Sequence, residues 1–168
     1  MPKISVIIPV YNVANYIKRC SCSLFEQTLD DMEFIFVDDA SPDDSIQILQ
    51  ETLSHYPQRI SQVQIIRHSS NLGQSIARND GLQIATGNFV AYCDSDDYVV
   101  PNMYKSLYER AIKEKADVAY CDIFMAYSSY NEYYHTLNEH EDKTIFLKQF
   151  LSQGWSILCN MLIKSVNY

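Results

Sequence analysis

Residues 3–10, KISVIIPV, are β-branched and almost continuously apolar. This pattern is typical of a strand that is covered on both faces in a parallel sheet. Similar strand patterns recur four times, at residues 32–39, 63–68, 88–94 and 117–124. Helical periodicity lies between them, at residues 13–27, 42–56, 72–85 and 102–116. Five strands alternating with four helices predict an α/β fold with a doubly wound, mainly parallel sheet, helices on both faces and a ligand crevice at the carboxyl ends of the strands.

The composition limits the kinds of ligand that the protein can bind. The 168 residues include 13 basic and 21 acidic side chains, which gives a net charge of -8. This charge and the lack of a Lys/Arg cluster argue against a nucleic acid polymer as partner. A mononucleotide stays compatible with an acidic site, because a bridging cation can neutralise its phosphates.

The sequence also bears on cellular location and on zinc binding. No apolar run reaches the ~18 residues that a membrane span needs, so the expected location is the cytoplasm, with the inner face of the membrane as an alternative. The five cysteines and four histidines are scattered and show no spacing typical of a zinc site.

Acidic residues follow two of the predicted strands. In an extended segment, residues two apart point to the same side, so Asp94 and Asp96 can both address one divalent cation. Magnesium-type sites use one or two carboxylates and leave other positions to water and substrate phosphate. The alternative is that these aspartates are turn and cap residues, and for Asp97 a turn is the preferred interpretation.

The second acidic pair is Asp38 and Asp39. If the strand continued, the two side chains would face opposite ways, and one of them could accept the N3–H of a uracil ring or a ribose hydroxyl. The alternative is a carboxylate that caps the helix beginning near residue 42. Arg78, on the third predicted helix, could orient the aspartates or hold a phosphate, or could be a solvated helix residue.

Four segments in this order, SVIIPVYNVANYI, FVDDAS, NLGQSIARNDGLQIATGNFVAYCDSDD and YVVPNMY, resemble the nucleotide-sugar-binding half of inverting glycosyltransferases of the GT-A fold, the family 2 enzymes with a DxD motif. The resemblance covers about residues 3–122. It implies a nucleotide-sugar donor, UDP-linked, and a manganese or magnesium cofactor. The residues that it assigns to donor binding are Pro9, Tyr11, Asn12, Asp38, Asp39, Arg78, Asp94 and Ser95, and the metal ligands are Asp94 and Asp96.

The roles implied by this resemblance differ along the site. Pro9, Tyr11 and Asn12 would line the nucleoside pocket, and Asp39 would hold the base. Asp94 would lie near the ribose and the metal. Arg78 matches the arginine of the family's ARN segment and would lie near the donor.

The implied reaction is an in-line displacement, in which an acceptor hydroxyl attacks the anomeric carbon with inversion. In the family the general base is a carboxylate downstream of the DxD motif. We expect it beyond Tyr168, in a chain that is truncated, although Glu139, Glu141 and Asp142 are acidic residues in the right half. The alternative function is a donor-binding module or fragment without turnover.

We predict two regions. Residues 1–122 would form the nucleotide-sugar-binding subdomain, and residues 123–168 the incomplete beginning of the acceptor-side region. The latter contains a tyrosine-rich stretch at 126–143 that reads as a β-hairpin or flap, a helix at 144–155 and a further strand within 156–168. The expected acceptor is a carbohydrate or a lipid-linked glycan, and a homodimer is a further expectation.

Overall fold

A computed structural model of the protein describes residues 1–126, 131–134 and 161–165. Within these residues the chain forms four α-helices and eight strands. The helices are α1 (Ile17–Phe25), α2 (Ser45–Ser54), α3 (Gln74–Ile84) and α4 (Met103–Glu114), with a short 3-10 helix at Pro57–Gln62. The strands are β1 (Ile4–Val10), β2 (Met32–Asp38), β3 (Val63–Arg67), β4 (Phe89–Tyr92), β5 (Val118–Tyr120), β6 (Ile123–Ala126), β7 (Asn131–Tyr134) and β8 (Met161–Lys164).

Six strands form the main sheet in the order β3-β2-β1-β4-β8-β5. The first four are parallel, and β1 pairs with β2 from Ile4 opposite Met32 to Val10 opposite Asp38. The predicted mainly parallel sheet is therefore confirmed. The carboxyl ends of β1, β2 and β3 lie at one edge, where side chains from separate parts of the sequence meet.

The apolar strands have both faces covered, as their continuous hydrophobicity predicts. Even-numbered residues of β1, such as Val6 and Ile8, belong to a large core with side chains of α1, α2 and α4. Ile7 belongs to a smaller core on the other face, together with Ala77 of α3. Helices therefore cover both faces, and α3 lies on the face opposite to the other three.

The strands after α4 agree only in part with the prediction. The predicted strand at 117–124 is two strands, because β5 joins the main sheet whereas β6 pairs with β7 in a separate antiparallel hairpin. This hairpin agrees with one of the two interpretations of the tyrosine-rich stretch. The predicted C-terminal strand is present as β8, which lies antiparallel between β4 and β5. The predicted helix at 144–155 lies outside the described residues.

A buried arginine closes the C-terminal end of α1. Arg59, in the 3-10 helix, is 5% exposed and donates to the carbonyl oxygens of Phe25, Gln27, Leu29 and Asp30. The carbonyl of Phe25, the last residue of α1, has no partner within the helix, and the guanidinium satisfies it together with the carbonyls of Gln27 and Leu29 in the loop that follows. The Asp30 carbonyl also accepts the Met32 amide.

A buried carboxylate with a structural role lies near the amino-terminal ends of the parallel strands. Glu33 accepts hydrogen bonds from the Ser5 hydroxyl, from Gln64 and from both the amide and the hydroxyl of Thr86. The Ser5 hydroxyl in turn accepts the amide N–H of Gly87 at 2.8 Å. A Cβ at Gly87 would lie 2.5 Å from the backbone nitrogen of Ser5, so the loop between α3 and β4 requires glycine here.

The helices of the described residues are short. The longest of them, α4, has 12 residues. Among the residues that the structure describes, no helix has the length and apolar character that crossing a membrane requires.

Candidate functional site

A cleft of about 300 Å³ opens at the carboxyl ends of the parallel strands. Its walls come from the loops after β1, β2 and β4 and from the beginning of α3. The lining residues are Pro9, Val10, Tyr11, Val13, Asp39, Asn71, Gly73, Gln74, Ala77, Asp94, Ser95 and Asp96. A depression of similar volume, about 310 Å³, lies between α1 and α2. The cleft at the sheet edge is the candidate site, because carboxylates from two separate loops converge there.

Asp39 is the most firmly held carboxylate of the cleft. Its Oδ1 accepts the Leu72 amide and lies 2.8 Å from Nδ1 of His68, and its Oδ2 accepts the Gly73 amide at 2.8 Å. Burial alone would raise the pKa of Asp39, but the two amides and His68 outweigh it and lower that pKa. Asp39 is therefore an ionised acceptor with a fixed orientation.

Gly73 allows the backbone turn that brings the two amides to Asp39. Its φ of 92° lies in the region that glycine adopts without strain, and it precedes the first residue of α3. The turn through Leu72 and Gly73 aims two successive amide groups at Asp39. The beginning of α3 is thereby attached to the end of β2.

Asp38 has a different environment from its neighbour. It ends β2, is 8% exposed, and its Oδ1 accepts the amide of Ser41 at 2.9 Å. The two adjacent carboxylates thus have different contacts, as the sequence predicts. Asp38 shapes the turn after β2, whereas Asp39 lines the cleft.

Asp94 is the second carboxylate attached to α3. Its Oδ1 lies 2.7 Å from an Arg78 guanidinium nitrogen and 3.2 Å from Nε2 of Gln74. Arg78 is largely buried, with 18% of its side chain exposed. Arg78 is therefore not a solvated helix residue, and the structure supports the interpretation in which it orients an aspartate.

The loop after β4 does not have the extended conformation that the sequence predicts for Asp94 and Asp96. β4 ends at Tyr92, and the Asp97 amide donates to the Asp94 carbonyl at 3.0 Å, which closes a turn. Asp94 and Asp96 are therefore not alternate residues of an extended strand. They nevertheless line the same cleft, because the turn brings both to the sheet edge. The turn predicted for Asp97 is confirmed.

Arg19 of α1 supports this loop from outside. One of its guanidinium nitrogens donates to the Asp96 carbonyl at 3.1 Å, and the guanidinium lies 4.5 Å from the centre of the Tyr98 ring. Ser95, between the two aspartates, is 6% exposed. The backbone around Asp96 is thus held from two sides, while the Asp96 residue is exposed at the cleft.

The loop after β1 supplies the other wall. Pro9 and Tyr11 line the cleft, and Tyr11 is 46% exposed. Asn12 adopts a left-handed backbone conformation with φ 56° and is exposed. Asparagine tolerates this conformation better than most residues, which explains its place in the sharp turn after β1.

The donor atoms of the cleft fit a hard divalent cation. Asp94 and Asp96 supply carboxylate oxygens, which such ions prefer, and one or two protein carboxylates are a common complement when a substrate phosphate provides further ligands. In the part of the chain that the structure describes, no three His, Cys, Asp or Glu side chains form a ready metal site.

Several residues of the site were not singled out from the sequence. These residues are His68, Asn71 and Gln74, which lie around Asp39 and Asp94. His68 follows the predicted third strand directly, so its position at the carboxyl edge of a parallel sheet is the signal that identifies it. The spacing of the four histidines along the sequence does not contain this information.

The comparisons with known proteins identify the family of the chain. Residues 5–163 match the family model described as Glycosyl transferase family 2. An uncharacterized glycosyltransferase of Escherichia coli K12, YibD, is 41% identical over 120 residues, which are 71% of this chain and 33% of YibD.

Solved structures also resemble this chain. The crystal structure of Staphylococcus aureus TarS 1–349 in complex with UDP has a TM-score of 0.63 and 31% identity, over 69% of this chain and 34% of that one. The mannosyltransferase PcManGT from Pyrobaculum calidifontis, in complex with GDP-Man and Mn2+, has a TM-score of 0.54 and 28% identity, over 58% of this chain and 28% of its own. The chain spans about a third of the length of these relatives. It belongs to glycosyl transferase family 2 and has the GT-A fold that its sequence predicts.

Proposed function

We propose that the cleft binds the nucleotide part of a UDP-sugar, and that the protein transfers the sugar to an acceptor hydroxyl with inversion at the anomeric carbon. The observation that carries this proposal is the convergence of Asp39 and the Asp94 to Asp96 turn on one cleft, both attached to α3. The family match and the UDP complex of TarS support it. The glycosyltransferases among the relatives favour transfer over donor binding alone.

Asp39 is suited to the base. Its Oδ2 accepts one amide, from Gly73, and a carboxylate oxygen has a second lone pair for another donor. The N3–H of uracil is such a donor. Pro9 and Tyr11 would form the wall beside the base, with the exposed Tyr11 ring able to stack on it, and Asn12 would shape the turn that presents them.

The Asp94 to Asp96 turn is suited to the ribose and diphosphate. Asp94 would contact the ribose and share a divalent ion with Asp96, Ser95 lies between them, and Arg78 fixes the orientation of Asp94. Manganese or magnesium, when bound, would stabilise the negative charge that develops on the leaving diphosphate. Asp38, which holds the Ser41 turn, would act by supporting Asp39.

The reaction requires an acceptor hydroxyl to attack the anomeric carbon while the bond to the diphosphate oxygen breaks. A general base must accept the hydroxyl proton. The downstream acidic residues Glu139, Glu141 and Asp142 lie outside the described residues. The carbohydrate or lipid-linked acceptor, the homodimer and the cytoplasmic location stay predictions, as does the division at residue 122.

Isothermal titration calorimetry with UDP tests the donor site. We expect binding that strengthens when manganese is added, and loss of the manganese-dependent part in Asp96→Ala. Asp31→Ala is the matched control, because Asp31 is an exposed carboxylate that pairs with Lys3 away from the cleft. Equal manganese dependence in Asp96→Ala and in the wild type would contradict the metal assignment. Transfer is tested separately, by sugar release from the UDP-sugar to an added acceptor.

A further inference from the structure

His68 lies between two carboxylates, immediately behind the cleft. Its Nδ1 is 2.8 Å from Oδ1 of Asp39, and its Nε2 is 3.1 Å from Oδ2 of Asp80 on α3. The contact to Asp80 has the distance of an ion pair, although the N–H is not aligned for a hydrogen bond. The His68 side chain is 7% exposed, and its backbone amide donates to the Asp38 carbonyl at 2.9 Å. The ring is therefore held between two carboxylates, and the backbone of His68 is fixed to the end of β2.

This arrangement determines the protonation of the ring. An ionised carboxylate only accepts hydrogen bonds, so Nδ1 must carry a proton to donate to Asp39. A proton on Nε2 as well gives the imidazolium, whose charge is neutralised by both carboxylates. The hydrogen bond to Asp39 raises the pKa of His68, burial opposes it, and the charges of Asp39 and Asp80 raise it further.

His68 also completes the attachment of Asp39. The Leu72 and Gly73 amides approach Asp39 from the loop before α3, and His68 approaches from the end of β3. Rotation of the carboxylate is opposed by donors on both of its oxygens. With Oδ1 occupied twice, Oδ2 is the oxygen with more capacity for a ligand.

We propose that His68 is a positioning residue for nucleobase recognition, which, supported by Asp80, holds Asp39 so that Oδ2 meets the imide N–H of uracil. This inference rests on the proposed function of the cleft. It predicts selectivity as well as affinity, because cytosine has an acceptor at N3, where a fixed carboxylate requires a donor.

Selectivity between UDP and CDP is the measurement that tests it. Dissociation constants for both nucleotides, with manganese, are measured calorimetrically for the wild type, His68→Ala and His68→Asn. The asparagine amide can place a donor near the position of Nδ1 without an ionisable ring. His55→Asn is the matched control, because His55 is an exposed histidine at the end of α2, outside the cleft.

We expect the wild type and His55→Asn to prefer UDP over CDP. His68→Ala should reduce this preference about tenfold, mainly through weaker UDP binding, which is the effect of losing one hydrogen bond to a charged group. His68→Asn should restore most of the preference. A purely structural role would weaken both nucleotides equally and would overturn the inference.

Two further outcomes separate the inference from the function on which it rests. If the wild type binds UDP no better than CDP, the base contact of Asp39 fails and the role of His68 fails with it. If the wild type is selective and His68→Ala keeps the full preference, only the role of His68 is overturned. Should His68→Ala not fold, Asp80→Asn provides the test, since a two- to threefold smaller preference is expected from removing the outer carboxylate, and an unchanged preference would overturn the inference.

Discussion

Asp39→Asn should destabilise the protein far more than the same change at its neighbour Asp38. Asp39 is 3% exposed and accepts three hydrogen bonds of 2.8 Å, two on Oδ1 and one on Oδ2. An asparagine oxygen can keep the two donors at one side, but its NH2 group must then face the Gly73 amide, where two donors oppose each other. The Gly73 amide keeps its second acceptor, Oδ1 of Asn71 at 3.0 Å, so the expected cost is that of one charge-assisted hydrogen bond, about 1.5 to 3 kcal/mol.

Asp38→Asn is the matched control. Asp38 makes a hydrogen bond of 2.9 Å to the Ser41 amide, which an asparagine oxygen can keep, so the expected loss is about 1 kcal/mol or less. Urea unfolding of both variants, with equal denaturant slopes, gives the comparison. Equal losses for the two variants would refute the claim that three donors hold Asp39.

The pH dependence of this difference provides a second check. Because the pKa of Asp39 is lowered in the folded protein, its contribution is fully present above the ordinary value of 3.8 and is lost as the pH falls through the folded-state pKa. The stability difference between the wild type and Asp39→Asn should therefore shrink in acid. A difference that stays constant to the acid transition would contradict the assignment of Asp39 as an ionised, hydrogen-bonded carboxylate.

Three other changes test the fold around the site. Arg59→Met should lower the free energy of unfolding by about 3 to 5 kcal/mol, because the carbonyl oxygens of Phe25, Gln27 and Leu29 lose the Arg59 donors, and urea unfolding measures the loss. Gly87→Ala should cost about 1 to 3 kcal/mol, seen as a lower Tm, because its Cβ would lie 2.5 Å from a backbone nitrogen. His68→Asn should be less stable than the wild type below pH 6.5. At that pH the charged His68 ring, whose pKa is raised by Asp39 and Asp80, contributes its full stabilisation to the folded protein. In thermal melts the difference should vanish as the pH rises through the folded-state pKa of His68.

Controls for these changes come from the same chain. Arg67→Met removes an exposed arginine on the edge strand β3 and should cost less than about 0.5 kcal/mol. A loss as large as that of Arg59→Met would show that charge alone, rather than the buried carbonyl contacts, sets the effect. His55→Asn, a change at an exposed histidine outside the cleft, should alter the free energy of unfolding by less than about 0.5 kcal/mol.

The strands β1 and β2 could be predicted because their sequences are almost continuously apolar. β1 and β2 are fully buried along their length, so no alternation obscures the pattern. The helices begin later than their periodicity predicts. α1 begins at Ile17 rather than at residue 13, because the Val13 carbonyl first accepts the amides of Tyr16 and Ile17 in a turn.

The order of strands beyond β4 could not be predicted from local patterns. β8 enters the sheet between β4 and β5 from a distant part of the chain, and nothing in the sequence of Met161–Lys164 specifies its neighbours. The same limit applies to the split of residues 117–124, where β5 and β6 have similar compositions but join different sheets. Partner choice depends on tertiary contacts rather than on propensity.

The carboxylates of the site could be located from the sequence, but their partners could not. Asp39 and Asp94 follow apolar strands, which places them at the carboxyl edge of a parallel sheet. Their contacts with His68 and Arg78 join residues 29 and 16 positions apart. Asp39 contacts His68 because β2 pairs with β3, and Asp94 contacts Arg78 because α3 packs on the sheet. Tertiary geometry of this kind is not contained in local sequence patterns.

A crystal structure with a uridine nucleotide and manganese tests the central claim most directly. We predict that the uracil lies against Pro9 and Tyr11 with its N3–H on Asp39, and that the metal lies between the diphosphate and the carboxylates of Asp94 and Asp96. Nucleotide density at another place, such as the depression between α1 and α2, with the cleft at the sheet edge empty, would contradict it.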